Sequence, residues 1–284
     1  DRSESAALRR VFGEQLPPTS STKSATGHTT SASGAIETVI CLLAMHNGFI
    51  PANLGWKTND SECIAPSSGC ENTELHKVLC NSFGFGGNDS SLLLSDTAVM
   101  LNETTAVDTQ VVAEYEVTNE EMLKELRQYV SPMEARRMSG MTKAALLSSM
   151  KVMEAAQTTT PDAIVVATQW GMLVQGERML DHICSEGEAN ISPTLFMQST
   201  HNAIAGGLAI RTKCHGWNVT YSHGEDSFAW ALREARRLIA EGKAETVLVG
   251  WHDQCPEGFR LLIERAGLPP QPELYSKSVI IRKA

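Results

Sequence analysis

Ser20-Ser21-Thr22-Lys23-Ser24-Ala25-Thr26-Gly27-His28-Thr29-Thr30-Ser31-Ala32-Ser33-Gly34 places a cation and an imidazole close together, directly ahead of an apolar run from Ala35 to Met45. That run reads as a helix too apolar to face water on any side. Its N-terminal end, with unpaired N–H groups and a partial positive charge, is then held in the interior. Lys23 and His28 are therefore expected to be partly buried, where a short strand meets the helix. A buried ammonium beside an imidazole keeps the ring neutral near pH 7, which suits a group that hydrogen-bonds a developing oxyanion. The competing reading is a core histidine that caps its helix, and spacing alone leaves both open.

Outward from this stretch, Ser3 to Phe12 is patterned as a helix, with Ala6, Ala7, Leu8 and Val11 on one face, and Pro17-Pro18 ends it. Asn47-Gly48 stops the apolar helix, and residues 51–74 read as a polar surface excursion. His76 to Ser82 and Ser90 to Ser95 read as strands joined by a glycine-rich turn, Phe83-Gly84-Phe85-Gly86-Gly87. Its glycines permit backbone conformations that side chains forbid, so the turn is either a substrate gate or a tight hairpin. Residues 96–108 have the mixed pattern of a linker.

Beyond it, Thr109 to Val117 is patterned as a strand. Thr118-Asn119-Glu120-Glu121 opens a helix to Tyr129, and Ser131-Pro132-Met133-Glu134 opens another expected to reach Ala156. Strands are expected at Asp162 to Gln169, Val219 to Ser222 and Ala244 to His252. Helices are expected at Gln175 to Cys184, Thr200 to Lys213 and Asp226 to Glu241. This alternation implies an α/β domain with a largely parallel sheet.

A net charge of -9 argues against a nucleic-acid partner, which needs a basic footprint. The basic clusters are Arg136-Arg137 and Arg233, Arg236 and Arg237. Seven cysteines without a C-x-x-C pair argue against a disulfide framework or a structural zinc. With neither a signal peptide nor a membrane-spanning run, a cytoplasmic, reducing setting is expected. The chain starts at Asp1 inside a helical pattern, from which an upstream part of the polypeptide is expected.

Lys23 to Gly34 resembles the Lys-Ser-x-x-Gly-His-x-x-Gly-Ala-x-Gly signature of the ketosynthases, the 3-oxoacyl-[acyl-carrier-protein] synthases of the thiolase fold. Asn81-Ser82-Phe83-Gly84-Phe85-Gly86-Gly87-Asn88 resembles the loop that closes their active site, and Gly48-Phe49-Ile50-Pro51 their Gly-x-Ile-Pro. Ser31 and Asp89 depart from the pattern. The resemblance implies that His28 is the second active-site histidine, that Lys23 is its partner, and that Phe83, Phe85 and Gly86 form the substrate gate, Phe85 being the gating ring.

Residues 98–284 resemble the opening half of a ketosynthase, through Arg136-Arg137-Met138-Ser139, Ser192 to Gly206 and Asn218 to Ser222, and most of all the chain-length-factor-like subgroup. The order is thus permuted, a closing part (1–95) before an opening half. Ketosynthases carry a cysteine on a tight turn at the start of a buried helix, where its thiol is activated. Counted from Asn218 to Ser222 and from Arg233-Glu234-Ala235, that place falls on Glu225, a poor nucleophile, and no cysteine is expected on such a turn. Helix capping is the ordinary reading of Glu225 and Asp226. His201 and His223, with Asp226, could line one pocket, but their spacing names no metal site.

The expectation is a thiolase-like α/β protein of layered helices and mixed sheets. The resemblance implies part of a synthase system for decarboxylative Claisen condensation in fatty acid or polyketide synthesis, this chain lacking the nucleophile. The alternative is a non-catalytic, chain-length-factor-like subunit that shapes a partner's acyl tunnel. The partners implied are an acyl carrier protein, whose phosphopantetheine carries the substrate, and a ketosynthase or a second copy in a dimer. No other cofactor, metal, nucleic acid or membrane is expected.

Overall fold

The computed structural model describes residues 2–84, 88–97, 107–188, 191–267 and 272–284. Apart from Gly84 and Asn88, the described residues before 98 group into one unit and those from 107 onward into a second.

In the first unit, α1 (Arg2–Phe12) is tied to the polar excursion. Arg2 donates to Asp60 Oδ2 at 3.0 Å, Arg9 to the Glu62 carbonyl at 2.9 Å, and the Ile64 N–H to Ser5 Oγ at 3.0 Å. Instead of the expected strand before Lys23, a single helical turn α2 (Lys23–Thr26) is followed by a 3₁₀ turn, Thr30–Ala32. Then comes α3 (Ser33–Asn47), closed by Gly48 in the left-handed region with its N–H on the Ala44 carbonyl. Strands β1 (Phe49–Ile50) and β2 (Cys70–Glu71) pair antiparallel, and β3 (Lys77–Gly84) with β4 (Asn88–Ser95) forms a second two-stranded sheet.

The expectation that α3 is buried all round is not met. Its one buried residue is Ala44, while Val39, Leu42 and Leu43 are 55%, 51% and 50% exposed. The reason lies in what the unit has to pack. Strand β3 offers one wall, with Gly34 against Ser82 and Thr38 against Cys80, and the far side of the helix is left to water.

The second unit is built on a five-stranded sheet. Its strands are β5 (Thr109–Val117), β6 (Ala163–Ala167), β7 (Asn218–Tyr221), β8 (Thr246–Gln254) and β9 (Leu274–Lys283), in the order β5-β9-β8-β6-β7. β6 runs parallel to β7 and β8; β9 runs antiparallel to β5 and β8. The sheet is therefore mixed, where the alternation of elements implied a largely parallel one. The difference is β9, which enters between β5 and β8.

Both faces are covered, so β6 is apolar at every position, as a strand buried on two sides must be. Ile164 and Val166 lie on the face that α5 (Gly140–Ala155) helps to cover, in one cluster with Leu147, Val152, Leu248 and Ile280. Val165 and Ala167 face α9 (Ser227–Ala240), whose Ala231, Ala235 and Leu238 recur at helical spacing and meet Val249 and Val279. The helix expected from Pro132 to Ala156 is broken in two. α4 (Pro132–Ala135) is capped by Ser131, and α5 starts afresh at Ser139, whose Oγ accepts the Thr142 N–H at 3.1 Å. α6 (Leu173–Glu186) and α8 (Ala203–Thr212) lie where helices were expected; α7 (Pro193–Gln198) and α10 (Glu257–Arg265) are additional.

Candidate functional site

Two constellations carry chemistry, one in each unit. In the first, Lys23 begins the α2 turn and its ammonium pairs with the Glu37 carboxylate on the first turns of α3. Glu37 is 15% exposed and Lys23 40%, and Ser33 Oγ also donates to Glu37 at 3.5 Å. Lys23 is thus half-buried, but its partner is Glu37, in place of His28. His28 is exposed, contrary to the burial expected of it, because α3's start is not enclosed. Its Nδ1 accepts the Thr30 N–H at 3.2 Å. An accepting Nδ1 puts the proton of the neutral ring on Nε2, leaving an N–H donor for a ligand. Thr30 makes this contact from φ 48°, a left-handed conformation that a β-branched residue rarely adopts.

Glu37 escaped the sequence reading, although a signal was there. It is the one carboxylate in an otherwise apolar helix, and such a charge needs a partner. Phe83, near the end of β3, is 57% exposed. Phe85 and Gly86 lie outside the described residues.

In the second unit the place matched to the nucleophile is a strand-to-helix turn. β7 ends at Tyr221, a 3₁₀ turn spans Gly224–Asp226, and α9 begins at Ser227. Ser227 fixes this turn. Its Oγ accepts the His223 N–H at 2.7 Å and lies 2.9 Å from the Thr168 carbonyl at the end of β6 and 2.7 Å from that of Gly224. Glu225 and Asp226 are exposed on it, and neither side chain caps α9. His223 packs its ring against Trp230 at 5.5 Å, while His201 lies over Gly171. Among the described residues no group of three or more His, Cys, Asp and Glu side chains could hold a metal ion.

Beneath the turn, a buried carboxylate that sequence reasoning missed ties the strand ends together. Asp253 Oδ1 accepts from Thr168 Oγ1 at 2.6 Å and from the N–H groups of Gln169 and Trp170 at 2.9 and 3.1 Å, and Oδ2 accepts the Trp251 indole N–H at 2.6 Å. Burial raises its pKa while these bonds pull it down. The site is thus a hydrogen-bonded frame beside an exposed carboxylate, Glu225.

One cysteine does stand after a strand and before a helix, which the sequence reading did not foresee. Cys255 follows β8 and precedes Pro256, the N-cap of α10. It is buried, and desolvation pushes its thiol up, the opposite of activation. Cys214 is likewise buried and raised by burial. Of the basic clusters, Arg136, Arg137, Arg233 and Arg236 are exposed, with Arg233 over the Trp230 ring at 5.1 Å. Arg237 is engaged by Glu234 and Glu241.

The family profile described as "Beta-ketoacyl synthase, N-terminal domain" matches residues 110–280, and "Beta-ketoacyl synthase, C-terminal domain" matches residues 1–57. The 3-oxoacyl-[acyl-carrier-protein] synthase 1 of Haemophilus influenzae is 41% identical over 96 residues, 33% of this chain and 24% of that protein. The actinorhodin polyketide putative beta-ketoacyl synthase 1 of Streptomyces coelicolor is 39% identical over 100 residues, 34% of this chain and 21% of that one. The chain therefore spans about a quarter of the length of the curated relatives it matches. Among solved structures, the PfaC keto synthase–chain length factor aligns at a TM-score of 0.63 and 14% identity, over 99% of this chain and 41% of that one. The ketosynthase ApeO in complex with its chain length factor ApeC, from Xenorhabdus doucetiae, aligns at 0.51 and 23% identity, over 63% of this chain and 79% of that one. These likenesses give the second unit's layered mixed sheet as a thiolase-like fold. With a family profile spanning more than half of its length, the chain belongs to the beta-ketoacyl synthase family.

Proposed function

We propose that this chain works in a beta-ketoacyl-[acyl-carrier-protein] synthase system of fatty acid or polyketide synthesis, and that residues 109–284 act there as a non-catalytic, chain-length-factor-like half. The observation that carries this reading is Glu225 on the β7–α9 turn. A thiolate in that setting attacks a thioester and forms another. A carboxylate is a weak nucleophile there, and its product would be a mixed anhydride. The one cysteine found between a strand and a helix, Cys255, is buried with its thiol raised.

Residues 1–95 take the other role in this reading, supplying the Lys23–Glu37 pair and His28. With its proton on Nε2, His28 donates to the thioester carbonyl oxygen as carbon dioxide leaves a malonyl group, stabilising the enolate that attacks the acyl group. Lys23 and Glu37 hold the α2 turn against α3 and so fix the backbone that bears the imidazole. Phe83, Phe85 and Gly86 then gate the acyl pocket. The nucleophilic cysteine comes from elsewhere in the system, either a ketosynthase partner or another part of the polypeptide. The match to a ketosynthase–chain length factor structure across 99% of the chain supports this. A closing ketosynthase part ahead of an opening chain-length-factor part is the order of two consecutive units and needs no permutation. An acyl carrier protein delivers the substrates on its phosphopantetheine arm, as the neighbouring complex of a type II carrier protein with its ketosynthase suggests.

The test is acylation. After incubation of the full chain with acyl-loaded carrier protein, intact-mass measurement is expected to show the unmodified chain. A stable acyl adduct on Glu225 or on any cysteine would overturn the assignment.

A further inference from the structure

Seven cysteines leave one close pair that the proposed chemistry does not use. Gly34, Thr38 and Cys41 recur along one face of α3, and Cys80 and Ser82 share one face of β3. The helix comes unusually near the strand because position 34 has no side chain. A Cβ there would lie 2.7 Å from Ser82 Oγ. Further along the same contact, Thr38 Oγ1 reaches Cys80 Sγ at 3.8 Å, and Cys41, about one turn on along that face of the helix, neighbours the Cys80 sulfur. Cys80 is buried and Cys41 half-buried, so a reagent from solvent reaches Cys41 first.

We propose that Cys41 and Cys80 are a redox-convertible pair whose disulfide staples α3 to β3. The oxidant is a small-molecule disulfide, for which glutathione disulfide is the probe. The Cys41 thiolate attacks one sulfur of the probe, forming a mixed disulfide and expelling one glutathione thiolate. Cys80 then attacks the Cys41 sulfur, the Cys41–Cys80 bond forms, and the second glutathione leaves. The two protein S–H protons end on the two glutathione thiols, and the two electrons lost by the cysteines reduce the probe. The staple bears on the proposed catalytic element, since α3 carries Glu37 and thereby holds Lys23, while β3 leads into the glycine-rich stretch.

The contact also sets the rate. Burial first, then the neighbouring Cys80 sulfur, and last the Glu37 carboxylate push the Cys41 thiol up to about 11. Cys80 on β3 and Glu37 on α3 are the groups that face it; the Lys23 ammonium is engaged by Glu37. Few thiolates exist at neutral pH, so conversion is slow there and quickens as the pH rises.

The full chain is to be incubated with glutathione disulfide, followed by intact-mass measurement and peptide mapping. The expected product has lost about 2 Da, with Cys41 joined to Cys80, and the rate rises about tenfold per pH unit from 7 to 9 and still rises at 10, where ordinary thiols level off. Cys41→Ser and Cys80→Ser each abolish the product, whereas a Cys63→Ser, Cys70→Ser double variant keeps it. A stable glutathione adduct on Cys41 without closure, a bridge to any other cysteine, or an unchanged mass overturns the proposal.

Discussion

His252 has no accessible surface on β8, and its Nδ1 lies 2.8 Å from Ser276 Oγ. Ser276 continues through Ser148 to Ser278, each step 2.8 Å, so a line of hydroxyls runs between the sheet and α5. The Nε2 atom has no hydrogen-bond partner and lies over Gly250, where an added Cβ would come within 2.1 Å. Burial holds the ring neutral, lowering its pKa to about 3, against about 6.5 for an unfolded histidine. The sign follows from where the proton binds. Above pH 6.5 both states are neutral and the full stability is present; as the pH falls toward 3, the unfolded chain takes up a proton that the folded chain refuses. Between pH 7 and 5 this linkage is expected to cost the second unit about 2 kcal/mol. Urea denaturation at the two pH values, followed by the fluorescence of Trp170, Trp217, Trp230 and Trp251, measures it. His252→Gln is expected to flatten the dependence, and an equal slope in the variant would remove His252 as the cause. Nothing in the sequence marked this residue, because a histidine within a strand is read as polar until the layer above it is known.

Where α4 ends and α5 begins is decided at the scale of the element. Ser131 with Pro132 was legible as a start, since a capping hydroxyl followed by proline at the first helical position is a local signal. Ser139 was not, for no acid stands three residues on; Thr142 stands there, and its hydroxyl meets Ser139 Oγ at 2.7 Å. Buried Ser139 satisfies an N–H at the start of a helix that packs on β5, β8 and β9. Ser139→Ala is therefore expected to destabilise the second unit by about 1 kcal/mol. Equilibrium denaturation checks it, and a change below a few tenths of a kcal/mol would mean that water replaces the cap. α3 shows the complementary case, an apolar helix that the sequence defined to within a turn at each end while its neighbours stayed undetermined.

At the scale of the whole molecule the two units are unequal. Among the described residues of the first, those buried are Ser5, Ala44 and Cys80, whereas the second has two clusters on opposite faces of its sheet. A unit with so little interior has little hydrophobic stabilisation to set against chain entropy. Residues 1–95 expressed alone are thus expected to show no cooperative thermal transition by circular dichroism, and a sharp one would establish an independent domain. Val39, Leu42 and Leu43 on α3, with Phe83 and Leu93 on the hairpin, leave apolar surface that association would cover. Light scattering of the full chain at micromolar concentration is expected to give a dimer or larger, and a monomer would count against that covering.

What the sequence determined by itself was local. Apolar periodicity placed β6, α9 and β8, the run from Ala35 to Met45 marked α3, and the residues from Asn218 to Asp226 were legible as a strand leading to a helix start. The tertiary structure decided the rest. It set β9 between β5 and β8, joined Lys23 to Glu37 and away from His28, and left one side of α3 open. Periodicity and motif report on chemistry carried along the chain, whereas a strand's neighbours, an ammonium's partner and a helix's exposure depend on which distant surface comes to lie against them.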